Sequence, residues 1–219
     1  MELRSIVEDS RVSRRILPTL NATFLTLIPK CEGNDSPDKF KPISLCNVIY
    51  KIITKVIVNR LKLLLLGLIS LKQLGFVEGR HIKDDIILVH EMIHSIKSKK
   101  IQGMMVKLDI AKAYEKINWK FIQGMLASFG FSAEWIECVM SLVSSKFFSI
   151  LVNGVPFGLI KSSRGIRQGD TLSPFIFIQM VKCLGSSIAA LRDNNDIRGL
   201  RVNPTSKKKL TNNLWMVQC

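Results

Sequence analysis

The sequence predicts an α+β fold, and three observations carry that prediction. Residues 23–29 (T-F-L-T-L-I-P) alternate like a strand and stop at a proline. Asn153-Gly154 stands between the apolar runs 147–152 and 157–161, and this dipeptide supplies the two positive φ angles of a tight hairpin. Residues 47–66 and 172–191 repeat apolar side chains at helical spacing, far longer than strands usually run.

The other elements follow in chain order. Residues 1–20 have weak periodicity and read as a helix or a frayed leader. Residues 31–38 (C-E-G-N-D-S-P-D) form a polar turn, and 40–45 a returning strand. The next helix, 47–66, presents Val48, Ile52, Ile53, Val56, Ile57, Leu61 and Leu64 at helical spacing. A loop at 75–80 leads to a helix at 84–97, with Asp84 and Asp85 in the first turn, where the helix dipole favours acids. Residues 104–110 read as a strand and 113–129 as one helix, ended by Gly130 in the left-handed position. Ser132 caps a helix to about 143. Ser173-Pro174 opens the long helix at 172–191, as proline is tolerated in a first turn. A short strand at 197–202 and a polar, basic stretch at 203–213 complete the pattern.

The chain has 219 residues, 47% of them apolar, enough for a sizeable core and too many for disorder. Lysine and arginine outnumber aspartate and glutamate 32 to 17, for a net charge of +15. That excess is spread along the chain, so the expected arrangement is a basic surface around an apolar core, which suits a nucleic-acid partner. Five cysteines without C-x-x-C spacing suggest neither a disulfide framework nor a zinc ribbon. The first twenty residues lack the apolar core of a signal peptide. The greasiest run, 63–69, is bounded by Lys62 and Lys72, well short of the ~20 residues of a span. The expected location is intracellular, nuclear or cytoplasmic.

Two stretches carry chemistry. Residues 106–114 (V-K-L-D-I-A-K-A-Y) form an apolar strand that delivers Asp109 at its end and Tyr114 five residues on. A strand-end aspartate is most often a helix cap, yet a carboxylate on fixed backbone also suits magnesium, which takes hard oxygen ligands. Residues 164–174 (R-G-I-R-Q-G-D-T-L-S-P) form a glycine-punctuated loop running into the long apolar helix.

K-L-D-I-A-K-A-Y-E-K-I and R-G-I-R-Q-G-D-T-L-S-P-F-I-F resemble the first two palm motifs of reverse transcriptases from plant non-long-terminal-repeat retrotransposons, the long interspersed element type. N-A-T-F-L-T-L-I-P-K and F-K-P-I-S-L-C-N-V-I-Y-K-I-I-T-K are similar to their fingers, and G-F-V-E-G-R-H-I-K-D-D-I and W-I-E-C-V also follow the family. The series runs in order over roughly residues 20–203. The resemblance implies a right-hand polymerase fold: a leader at 1–20, fingers at 21–100 and an incomplete palm at 101–219. The palm, an antiparallel sheet with helices on one face, would carry a fingers-type insertion at about 118–162, and the thumb would be absent. It implies RNA-directed DNA synthesis from a primer end, using deoxynucleoside triphosphates and two Mg2+ ions, on an RNA template with a DNA primer.

Carried over by position, Asp109 would hold magnesium and Tyr114 would lie under the sugar of the incoming nucleotide. Gln168 and Gly169 would line the nucleotide and template pocket. Lys30 and Lys41 would neutralise the triphosphate, and Arg80, Arg164 and Arg167 would meet nucleic-acid phosphates. Position 41 is usually arginine in the family; lysine keeps the charge and loses the bidentate fork. Glu115 replaces a usual aspartate, and L-K-Q-L-G-F departs from the family's pattern.

The third palm motif, an aromatic-alanine-aspartate-aspartate turn, is expected after G-L-R-V-N, but after Asp170 the only acids are Asp193 and Asp196. Trp215-Met216 must be encoded TGG-ATG, and a shifted frame of that string contains an aspartate codon, which suggests a frameshift near residue 213. The expectation is therefore a catalytically dead reverse transcriptase fragment. An alternative is a non-catalytic nucleic-acid-binding remnant. A remote one is a zinc protease, because His90-Glu91-Met92-Ile93-His94 matches H-E-x-x-H.

Overall fold

The structure is a computed structural model that describes residues 3–33, 36–68, 82–100, 108–196 and 217–218. The chain divides into two compact units: Met1–Leu68 with Lys112–Phe177, and Ile69–Ala111 with Ile178–Cys219.

The first unit is built on a four-stranded sheet in the order β2 (Phe40–Cys46), β1 (Ala22–Pro29), β4 (Phe147–Val152) and β5 (Val155–Lys161). β1 (Ala22–Pro29) and β2 (Phe40–Cys46) pair antiparallel, from Thr23 opposite Cys46 to Pro29 opposite Phe40. A 3-10 turn at Pro37–Lys39 leads into β2. β4 (Phe147–Val152) and β5 (Val155–Lys161) form the expected hairpin, with φ of 50° at Asn153 and 81° at Gly154. β5 starts two residues earlier than the sequence pattern indicated. β1 and β4 lie parallel, Ala22 opposite Phe147 to Leu25 opposite Ile150, so this sheet is mixed. Parallel neighbours need a long crossover, here more than a hundred residues of chain, which no local signal reports.

Helix α1 (Leu3–Ser13) and the short α2 (Pro18–Asn21) occupy the region left open as helix or leader. α3 (Val48–Leu68) buries Tyr50, Ile53, Thr54, Val58 and Leu61, a stripe at helical spacing. Val48, Val56 and Leu64 are exposed instead, a correction to the face expected from sequence. The helix is apolar around most of its circumference, so periodicity alone does not choose which side packs.

The helix expected over 113–129 is two helices, α5 (Ala113–Lys116) and α6 (Trp119–Ser128). Ile117 is extended, and the Asn118 side chain accepts a hydrogen bond from the Lys120 N–H at 2.8 Å, starting α6 afresh. The carbonyls of Tyr114 and Ile117, orphaned by the break, accept the N–H groups of Ile166 and Gly165, both at 2.7 Å. Loss of the Asn118 cap in Asn118→Ala is expected to cost about 1 kcal/mol in urea unfolding. α6 ends as the sequence indicated: Gly130 has φ 81°, with Phe131 N–H bonded to Leu126 O and Gly130 N–H to Ala127 O. Ser132 caps α7 (Ala133–Ser144) through the Trp135 N–H, and α6 and α7 pack together. Ile122, Leu126, Val139, Leu142 and Leu172 are all within 2% of full burial and form the heart of this unit.

The second unit contains α4 (Ile82–Ser98) and a parallel pairing of β3 (Leu108–Asp109) with β6 (Val217–Gln218), Asp109 opposite Gln218. An antiparallel palm sheet was expected; the pairing described here is parallel. α8 (Ser173–Asp193) begins in the first unit and continues into the second. It is long and apolar enough to cross a membrane by length and composition, but its Ile176 and Phe177 are buried in protein. The loop expected at 75–80, Arg80, the strand at 197–202 and the basic stretch at 203–213 lie outside the described residues.

Candidate functional site

The loop from Arg164 to Asp170 is the centre of the site, and two glycines let it lie flat against its neighbours. Gly165 has φ 82°, and a Cβ there would stand 2.7 Å from Glu115 O and 2.9 Å from Tyr114 O. Gly169 has φ 100°, and its Cβ would meet Ser44 O at 3.0 Å. The Ser44 N–H donates to Gln168 O at 2.9 Å, so the loop is bound to β2 on one side and α5 on the other. Glycine at 169 thus serves first a close approach to the protein's own strand.

Tyr114 is half-buried and stacks on Phe177, ring centroids 5.2 Å apart. Its neighbour Glu115 accepts a long hydrogen bond from the Gln168 amide, 3.4 Å. Tyr114, Gln168 and Gly169 are therefore brought together, with Gln168 half-buried and Gly169 exposed at the surface. Arg164 is exposed beside them.

Arg167 faces the other way. It is 3% exposed, stacks 4.5 Å from the centroid of the Tyr50 ring, and donates to the Asn21 carbonyl at 2.5 Å. Its Nε and Nη1 find no acceptor among the described residues. Beneath it, the Asp170 carboxylate is 7% exposed and accepts from Tyr50 Oη (3.1 Å), Ser173 Oγ (3.2 Å) and the Leu172 N–H (3.3 Å). Burial, then the adjacent Asp170 charge, pushes the Tyr50 hydroxyl well above the ordinary tyrosine range.

Lys30 and Lys41 lie exposed at the β1–β2 end of the sheet. Lys30 Nζ donates to the Asp38 carbonyl at 2.9 Å, while the Asp38 carboxylate pairs with Lys112. That pairing holds the Asp38 carboxyl below its usual range and raises Lys112. Lys112 adopts φ 52° at the entry to α5. Sequence reasoning missed Asp38, Tyr50, Lys112, Lys146 and Asp170 as members of this constellation. Asp170 stood inside the quoted motif, whereas nothing in the sequence distinguishes Lys112 or Lys146 from other lysines.

Asp109 belongs to the other unit, at the end of β3. Among the described residues no three His, Cys, Asp or Glu side chains gather into a metal site. The described carboxylates do not fit a complete two-magnesium ligand set. His90, Glu91 and His94 are exposed on α4, with no third ligand among the described residues.

Residues 28–195 match the family model described as reverse transcriptase (RNA-dependent DNA polymerase). The chain belongs to the reverse transcriptase family. This reverse transcriptase domain is 28% identical over 149 residues to a 149 kDa protein of transposon TX1 from Xenopus laevis, covering 68% of the chain and 11% of that protein. It is 28% identical over 152 residues to a Pol polyprotein from retrotransposable element R2 of Nasonia vitripennis, covering 69% and 14% respectively. A Drosophila melanogaster R2DM polyprotein is 23% identical over 167 residues, covering 74% of the chain and 16% of the polyprotein. The domain thus spans only a small part of the length of these three relatives. The match takes in both the strand end at Asp109 and the 164–170 loop.

Proposed function

We propose that this chain is the reverse transcriptase domain of a plant non-long-terminal-repeat retrotransposon. Within the whole protein the domain serves to extend a DNA primer on an RNA template by nucleotidyl transfer from deoxynucleoside triphosphates. The observation that carries this reading is the family match from residue 28 to 195, which includes both chemistry-bearing stretches in order. In this reading Asp109 is the magnesium-facing carboxylate, Tyr114 with Gln168 and Gly169 forms the nucleotide and template pocket, and Lys30 and Lys41 meet the triphosphate. Fingers at 21–100 and palm at 101–219 are part of the same proposal.

The 219-residue stretch on its own binds nucleic acid without extending it, because no adjacent aspartates follow Asp170 to complete the ligands of a two-ion reaction. Primer extension on an RNA template with Mg2+ and all four deoxynucleotides is expected to give no elongated product; elongation by the isolated stretch would overturn this part. Binding to an RNA–DNA hybrid is expected without Mg2+ and with steep salt dependence. About three phosphate contacts would correspond to roughly a forty-fold loss of affinity between about 50 and 200 mM salt. Salt-insensitive or absent binding sinks the nucleic-acid reading.

A further inference from the structure

Lys146, the residue before β4, is 2% exposed, yet forms no ion pair among the described residues. Its ammonium donates to the Gly165 carbonyl at 2.7 Å and lies 5.6 Å and 5.7 Å from the centroids of the Trp119 and Phe148 rings. The Trp119 indole N–H donates to the same carbonyl at 2.8 Å. That oxygen is therefore satisfied without the lysine, and a methionine would fill the space between the rings at lower desolvation cost. Among the described residues two buried cations, Lys146 and Arg167, share a single buried carboxylate, Asp170. A costly charge without a structural vacancy to fill points to a job for the charge itself.

We propose that Lys146 is a positioning residue for the 164–170 loop: its ammonium, gripped between Trp119 and Phe148, fixes Gly165 and so the face that Gln168 and Gly169 present to template and nucleotide. The inference rests on the nucleotide and template reading of that loop given above. Gly165 is the pivot, since its N–H and that of Ile166 bind α5 while the peptide oxygen between them is held by Lys146. A charged donor makes roughly twice the hydrogen bond of a neutral amine. Burial, then the Arg167 charge, lowers the Lys146 pKa to about 7, against the opposing effects of Asp170 and Cys46. The groups facing it are Arg167 and Asp170 from the loop and Cys46 from β2, with Tyr50 of α3 behind them. Tyr50 and Cys46 are both pushed up by burial, away from neutrality. The grip is thus strongest below pH about 7 and loosens as pH rises through it.

Hydrogen exchange of the 162–170 peptide, corrected for intrinsic rate, tests this in the 219-residue protein with Lys146→Met and Lys146→Arg. Wild type is expected to lose about five-fold protection between pH 6 and 8.5. The methionine variant should be weakly protected at both values and the arginine variant well protected at both. Affinity for an RNA–DNA hybrid should follow the same order. A purely structural lysine predicts a lower melting temperature in Lys146→Met; the expected result at pH 6 is the same or higher. The unfolded chain binds more protons between pH 7 and 10.5, so wild-type stability rises across that window, and the methionine variant lacks the rise. Unchanged protection in Lys146→Met, or a pH step that survives in Lys146→Arg, would overturn the proposal. So would wild-type hybrid affinity in a methionine variant whose loop is loosened. The expected protection pattern with no hybrid binding by any of the proteins would overturn the nucleic-acid reading instead.

Discussion

Replacing Gly165 with alanine is expected to destabilise the first unit by roughly 3 kcal/mol, combining left-handed strain with overpacking. The added methyl would stand 2.7 Å from Glu115 O and 2.9 Å from Tyr114 O, backbone atoms that no side-chain rotation can move. Relief requires the loop to lift off α5, which breaks the Gly165–Ile117 and Ile166–Tyr114 hydrogen bonds together. Gly158→Ala is the control. Its φ is also positive, 68°, but nothing lies within 4 Å of the methyl, so only the left-handed penalty of about 1 kcal/mol applies. Urea unfolding followed by tryptophan fluorescence separates the two; equal costs would show that the close approach at Gly165 does not exist in solution.

Asp170→Ala is expected to cost about 3–5 kcal/mol, the range for removing one partner from a buried charged network. Tyr50 Oη, Ser173 Oγ and the Leu172 N–H lose their acceptor together, and two buried cations lose the only buried carboxylate described near them. Tyr50→Phe alone should cost about 1 kcal/mol, and the double variant less than the sum, because the two side chains share one hydrogen bond. A second readout is electrostatic. Asp170 supports the charged form of Lys146, so its removal should move the pH step of loop protection downward from about 7. A surface-like cost below about 0.5 kcal/mol would contradict the burial of this carboxylate.

Much of the local structure was legible because its causes are local. Alternation and a terminal proline marked β1, Asn153-Gly154 marked the β4–β5 turn, Gly130 marked the end of α6, and Ser132 marked the start of α7. Each signal acts within a few residues, through φ preference or a side chain reaching its own backbone. Asn118 had the same capping chemistry, but the apolar run through Ile117 disguised it; the break is held open by the 164–170 loop, forty-odd residues away. The buried face of α3 was likewise hidden, because Val48, Val56 and Leu64 suit burial as well as Ile53 and Val58 do.

The order of motifs around Asp109 and the 164–170 loop was enough to identify the family, since residue type and spacing survive without coordinates. Charge placement did not follow from it. Arg167 and Lys146 read as two more basic residues in a chain of net charge +15, and among the described residues they are the two that turn inward. Whether a cation is solvated or buried depends on rings and carboxylates contributed by remote segments: Tyr50 and Phe148 against Arg167, Trp119 and Phe148 against Lys146. Folding sets those neighbours, and with them which lysine titrates near neutrality and which stays on the surface.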